Sequence, residues 1–192
     1  MQSQGNIRVV EMLRYLYQHT DENHTATVTD ITAYLKERGI QAVRQTVYAD
    51  LNALITAGFD IVIVKSTQNQ YFMGNRLFEY PELKMLADAV ASSKIISAKK
   101  SEALVQKLGC LTSIHQAEQL KGLASLSSRV KPGNEKVYYI IDSIHSAILE
   151  HRQIEFQYYE YTQTKEKILK HDGYRYLLNP YALEWKNDHY YL

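Results

Sequence analysis

Arg44, Gln45, Thr46, Tyr48 and Asn52 stand within nine residues of one another, on a stretch whose apolar positions recur at helical spacing. With Val43, Val47, Leu51, Leu54 and Ile55 turned inward, the polar side chains fall on outward faces. An outward arginine can take a guanine edge with two hydrogen bonds and a glutamine can do the same for adenine, while Thr46 or Tyr48 can hold a phosphate. A second polar group follows. Lys65, Ser66, Gln68 and Asn69 occupy a short turn between the β-rich runs Asp60–Lys65 and Tyr71–Met73. These types suit the backbone or minor groove beside a base-reading helix. Taken singly, each feature also describes a solvated helix face and an ordinary hairpin, so the order of elements has to carry the reading.

That order begins with Ile7, Val10, Leu13, Leu16 and Tyr17, which predict an amphipathic helix over residues 6–18. The polar run HTDENHTAT reads as a loop. Thr27 with Asp30 three residues on makes a capping box, and Val28, Ile31, Tyr34 and Leu35 give the helix that follows an apolar face. Gly39 ends that helix, and Gly58 ends the one carrying Arg44. Three helices and then a hairpin is the order of a winged helix-turn-helix, whose later helix enters the major groove.

Residues 78–130 read as helices. Pro81 suits a first turn, and Leu83, Leu86, Ala87 and Val90 form a stripe. Ser97 is placed to cap a helix carrying Leu104, Val105 and Leu108, and Ser113 with Gln116 forms a second capping pattern. Lysines 94, 99, 100 and 107 read as a solvated face. The run SLSSRVKPGNEK reads as a linker. Beyond it, Val137, Ile140, Ile141, Ile144 and Ile148 predict one helix, and Ile154, Phe156 and Tyr158 alternate with polar residues as a strand. Lys165 to Lys167 reads as a hairpin tip. Asp172-Gly173 precedes a strand over Tyr174 to Leu178, and Lys186-Asn187-Asp188 reads as a further turn. Ten of the sixteen tyrosines fall in this last region. Tyrosine suits strands and half-buried surfaces, and its ring also stacks on bases, as small barrels that bind single strands use it.

A family resemblance joins these pieces. QTVYADLNALITAGFDIVIV resembles the recognition helix and first wing strand of helix-turn-helix transcription regulators that carry a WYL domain. PELKMLADAVASSKIISAKKSEALVQKLGCL is similar to the helical segment between that family's two domains, and NPYALEWKNDHYYL to the proline, strand, turn and Trp-Tyr-Leu of the WYL domain. The resemblance implies an α+β chain: a winged helix-turn-helix over 1–77, a helical linker or dimerisation segment over 78–130, and a partial Sm-like β-barrel over 131–192. It implies a sequence-specific, double-stranded DNA-binding transcription regulator, a homodimer, whose barrel senses an effector, a nucleotide or single-stranded nucleic acid being the class that such a surface would stack. By position, Tyr158, Arg175, Tyr176, Tyr190 and Tyr191 are the candidate ligand contacts. Tyr190 stands where the family motif has Trp. The family's barrel continues with arginine-bearing strands where this sequence stops, so an incomplete barrel is expected.

Other classes find less support. There is no GxSxG, no HExxH and no Gly-rich phosphate loop, so no catalytic residue and no cofactor is expected. Biotin-ligase repressors also open on a winged helix, but their adenylate loop has no counterpart after residue 80. His145 and His151 are six apart on one helix and share no face, so no metal site is expected. The single cysteine, Cys110, lies in an apolar stretch and reads as a buried thiol; without a disulfide framework, a membrane-length apolar run or a signal-peptide pattern, a bacterial cytoplasmic protein is expected. Charge argues the other way on DNA. Residues 1–60 hold five Lys/Arg against seven Asp/Glu, residues 61–130 nine against five, and residues 131–192 eight against nine. Phosphate attraction supplies most non-specific affinity, so a winged-helix protein-interaction module without DNA binding is the alternative.

Overall fold

Thr27 opens a helix in the manner its sequence demands. Its hydroxyl accepts from the Asp30 N–H while the Asp30 carboxylate accepts from the Thr27 N–H, a complete capping box. A computed structural model describes residues 2–125, 131, 136–164 and 166–192 of the chain, an α+β mixture of helices and short strands. Of these, 2–92 and 101–125 form one compact unit, and 93–100, 131 and the residues from 136 onward form another.

In the first unit, α1 (Gln2–His19), α2 (Val28–Glu37) and α3 (Arg44–Thr56) are followed by β2 (Ile61–Val64) and β3 (Gln70–Met73). A short strand not anticipated from sequence, β1 (Ala26–Thr27), pairs with β3, which also pairs antiparallel with β2, giving the order β1-β3-β2. Gly39 and Gly58, at φ +74° and +95°, follow α2 and α3 in the left-handed conformation that glycine adopts without a Cβ penalty. Met12, Leu16, Ile31, Leu35, Val47, Leu51, Leu54 and Tyr71 are buried together between helices and sheet.

The inner face of α1 is rotated from the expected one. Met12 and Leu16 are buried with Val9 and Leu13 against them, whereas Ile7 and Val10 are half exposed. Both sets have helical spacing, and only the position of α2 and α3 selects between them.

Most of the helical segment expected as a separate linker, residues 78–92 and 101–125, lies in this same unit. Helices α4 (Tyr80–Ser92), α5 (Ala98–Gly109) and α6 (Ile114–Ser125) gather around Leu83, Ala87, Val105 and Leu120. Ser97 accepts from the Lys100 N–H as a cap, and Ser113 accepts from the Gln116 N–H, but the Gln116 side chain turns to Thr112 and leaves the second half of that capping box unmade. Cys110 is exposed, because α5 ends at Gly109 and the thiol sits in the turn beyond it. Most of SLSSRVKPGNEK lies outside the described residues.

What ties α6 to the first 77 residues is polar. Thr20 and Asp21, in the run read as a solvated loop, are buried. The Thr20 hydroxyl donates to the Leu16 carbonyl at 2.6 Å and accepts from the Met73 N–H at 3.1 Å, and its carbonyl accepts from Arg76 at 2.7 Å. One Asp21 oxygen accepts from the N–H groups of Asn23 and His24, both at 2.9 Å, and faces the His24 ring; the other accepts from the Ser113 hydroxyl. His24 stacks on His115 at 3.7 Å, and Tyr17 donates to the Leu111 carbonyl.

Acid is expected to weaken this unit in two stages. Burial, with Arg38 and His115 adding to it, holds the His19 imidazole below its ordinary value, so the unfolded chain takes up this proton first. Stability is full above about pH 6.5 and falls as pH drops below it. Burial pushes the Asp21 carboxyl up, but the bonds from Ser113, His24 and the Asn23 N–H outweigh it and hold the group below its ordinary value. That contribution is present above about pH 4 and is lost below it. Urea midpoints at stepped pH check this; a midpoint constant from pH 7 to 5 would contradict the His19 stage.

The second unit is thinly cored. Helix α7 (Val137–Leu149) is followed by β4 (Ile154–Phe156), β5 (Tyr159–Tyr161), β6 (Lys167–Leu169), β7 (Tyr176–Leu178), β8 (Glu184–Lys186) and β9 (His189–Tyr191). These pair as three separate antiparallel ladders, β4 with β7, β5 with β6 and β8 with β9. Among the described residues no sheet closes into a barrel. The strand expected over Ile154 to Tyr159 breaks at Gln157-Tyr158, and the one expected from Tyr174 begins at Tyr176. Asn187 and Asp188, both at positive φ, form the two-residue turn between β8 and β9. Lys167 lies in β6 with its ammonium over the Tyr159 ring rather than at a tip, and Lys165 lies outside the described residues.

Candidate nucleic-acid interface and effector groove

Helix α3 presents its outward residues as the spacing predicts. Val47, Leu51 and Leu54 are buried, Arg44, Gln45, Tyr48 and Asn52 are exposed, and Thr46 is half buried. Val43 departs from expectation. It is the extended residue just before the helix and is 68% exposed rather than on the inner face. It offers no side-chain cap, and the first turn of α3 carries no acidic residue, so the positive end of the helix is neither capped by that side chain nor neutralised within its own turn. The Arg44 guanidinium donates to Thr29 Oγ1 on the first turn of α2 at 3.3 Å.

The β2–β3 turn brings Lys65, Ser66, Gln68 and Asn69 to the surface, all exposed. The turn is held by Ser66 donating to the Gln68 carbonyl. Turn and helix meet at Tyr71. Burial pushes its phenol up, an Asn69 side-chain hydrogen bond works against that, and the nearby Tyr48 adds to the rise. Tyr48 of α3 and Asn69 of the turn therefore both act on one tyrosine of β3.

Four of the seven carboxylates of residues 1–60 are engaged, and they occupy three of its five cations, so the acidic excess stays and only its distribution is set by the fold. Glu11 pairs with Arg14 at 2.6 Å and Arg38 at 3.2 Å; Asp21 is buried, Asp30 caps α2, and Asp50 pairs with Arg8 at 2.5 Å. No Asp or Glu occurs in either Arg44–Tyr48 or Lys65–Asn69. What these segments offer is two cations, amides and hydroxyls.

In the second unit, an open groove of about 1000 Å³ runs between α7 and the strands. Ile140 and Ile144 line one side, Ile154, Phe156 and Leu178 the other, and Tyr158, Tyr190 and Tyr191 lie along it. Three of the five candidate ligand contacts are thus brought together. Arg175 and Tyr176 are not among the groove's lining residues. Arg175 is exposed and paired with Glu155 at 3.1 Å, and Tyr176 sits among the rings of Phe156, Tyr158 and Tyr174, its hydroxyl on His171. Trp185, against Tyr190 at 4.8 Å, was not singled out by sequence; it is part of the quoted C-terminal run and the only tryptophan.

Among the described residues, no group of three or more His, Cys, Asp or Glu could hold a metal ion, and no helix is long and apolar enough to cross a membrane. No protein-family model matches this chain, and no curated protein or solved structure matches it either.

Proposed function

We propose that the first 77 residues act as a winged helix-turn-helix, and that the chain is a sequence-specific transcription regulator binding duplex DNA as a homodimer. In this reading α3 enters the major groove, with Arg44 and Gln45 at base edges and Thr46, Tyr48 and Asn52 beside them, while Lys65, Gln68 and Asn69 on the β2–β3 wing reach the adjacent backbone. The observation that carries it is that two exposed, carboxylate-free segments, Arg44–Tyr48 on α3 and Lys65–Asn69 on the β2–β3 turn, both act on Tyr71 of β3. A duplex repels carboxylates and rewards cations, amide donors and hydroxyls, and these two segments hold the latter kinds and no carboxylate.

The test is fluorescence anisotropy of the full chain on duplexes selected from a random pool, against random duplex, at stepped salt. Affinity is expected to fall steeply with salt and to favour the selected duplex, with two chains per site. Lys65→Ala is expected to weaken selected and random duplexes alike and to lower the salt slope by about one. Binding without salt dependence, or none, would sink the DNA reading. A protein-interaction module would then stand, favoured by the apolar groove at Val10, Leu13, Phe59, Met73 and Leu77.

The proposal extends to effector sensing in the second unit, at the groove of Tyr158, Tyr190 and Tyr191. Their rings suit stacking on a nucleotide or single-stranded nucleic acid. Tyr176 supports Tyr158 through ring contact at 5.2 Å, and Arg175 would have to leave Glu155 to meet a phosphate.

A further inference from the structure

Helix α3 carries one carboxylate, Asp50. Three residues after Val47 and four before Leu54, it shares their side of the helix. There the Arg8 guanidinium of α1 grips it with two bonds, Nε to Oδ2 at 2.5 Å and Nη2 to Oδ1 at 3.2 Å. Side-chain exposure is only 19% for Arg8 and 13% for Asp50, so the fork is largely withdrawn from water. The core residues of α3, Val47, Leu51 and Leu54, are held by apolar contact, which has no direction and tolerates a helix rolling about its axis or sliding by a fraction of a turn. A bidentate arginine–carboxylate pair is planar and directional.

We propose that Arg8 and Asp50 are positioning residues for base readout: their fork fixes the roll and axial register of α3, and so the reach of Arg44 and Gln45. The proposal rests on the DNA reading above. Bidentate contact with a base edge needs placement within about 0.5 Å and 10–20°. Arg44 has a local tether, to Thr29 at the front of α2, but that bond spans exposed side chains and leaves the body of α3 free to turn. Arg8 holds α3 at Asp50, six residues beyond Arg44, where it can oppose rotation of the whole helix. The same pairing keeps the helix's only carboxylate from facing phosphate as an uncompensated charge.

The experiment compares the full-length chain with its Arg8→Lys, Asp50→Asn and exchanged Arg8→Asp/Asp50→Arg variants, reading affinity for the selected duplex, affinity for random duplex and their salt slopes. Arg8→Lys keeps the charge and loses the fork. It is expected to leave random-duplex affinity and the salt slope unchanged while cutting the selected-to-random ratio about tenfold, the scale at which a bidentate base contact discriminates. The exchanged pair is expected to recover most of the ratio. Circular dichroism identifies any variant that does not fold, and Arg8→Lys, the mildest change, then decides alone. An unchanged ratio in Arg8→Lys, or equal losses on both duplexes, would overturn the positioning role while leaving DNA binding intact. A wild-type chain without preference for any duplex would overturn both.

Discussion

Asp21→Ala is expected to cost the first unit about 3 kcal/mol, because it strands a buried hydroxyl and removes charge-assisted hydrogen bonds worth roughly 1.5–3 kcal/mol each before compensation. Ser113 is fully buried, and its hydroxyl donates to this carboxylate while capping α6. The Asn23 N–H loses its acceptor too but belongs to an exposed residue and can turn to water, while the His24 N–H keeps the carbonyl of residue 21. Asp21→Asn keeps an acceptor oxygen for those groups and is expected to cost about half as much. Urea denaturation followed by circular dichroism reads both variants. A loss under 1 kcal/mol for the alanine variant would show that the hydrogen-bonded carboxylate holds nothing that the apolar cluster does not already hold.

Arg44→Ala and Gln45→Ala together are expected to weaken the selected duplex by about 2–5 kcal/mol, since each bidentate base contact discriminates by about 1–3 kcal/mol. Both side chains are exposed, with neither in the core, so the fold is expected to survive. Random-duplex affinity should fall much less, by the share of one lost cation. Reselection on the double variant should return a degenerate sequence at the positions these residues read. Losses of equal size on selected and random duplexes would instead assign both side chains to the phosphate backbone.

The elements that carry these residues were legible where one local rule decided them. Thr27 and Asp30 announced a capping box, and Val47, Leu51 and Leu54 set the inner side of α3 and with it the outer one. Legibility failed where a partner distant in sequence chose between local equals. Ile7 and Val10 were as good a stripe as Val9 and Met12 until α2 and α3 took a side. Thr20 and Asp21 gave no sign of burial, because a polar run reads as solvated unless its acceptors are known, and Ser113 lies 92 residues from Asp21. The same distance hides the cancellation of charge: Asp50 looks like an unfavourable charge on a DNA-facing helix until Arg8, 42 residues earlier, is seen to hold it. In the second unit, alternation located strand residues but neither the break at Gln157-Tyr158 nor which three of the five candidates the groove would gather.

The 92-residue span between Asp21 and Ser113 also has a kinetic meaning. During synthesis, the three helices, the β2–β3 hairpin and all the partners of Thr20 leave the ribosome well before Ser113, so one oxygen of Asp21 must stay hydrated until the front of α6 arrives. Loop closure over such a span is slow relative to helix formation. The α1–α3 core would therefore form early, with the turn at Asp21–His24 open, and then close on α6 as a late step. A gene cut after residue 77, the boundary that the family resemblance implies, would produce a chain halted at that stage, without the Ser113 hydroxyl that meets the Asp21 carboxylate. A version of this unit in which the Asp21 carboxylate is sealed has to extend at least to the front of α6.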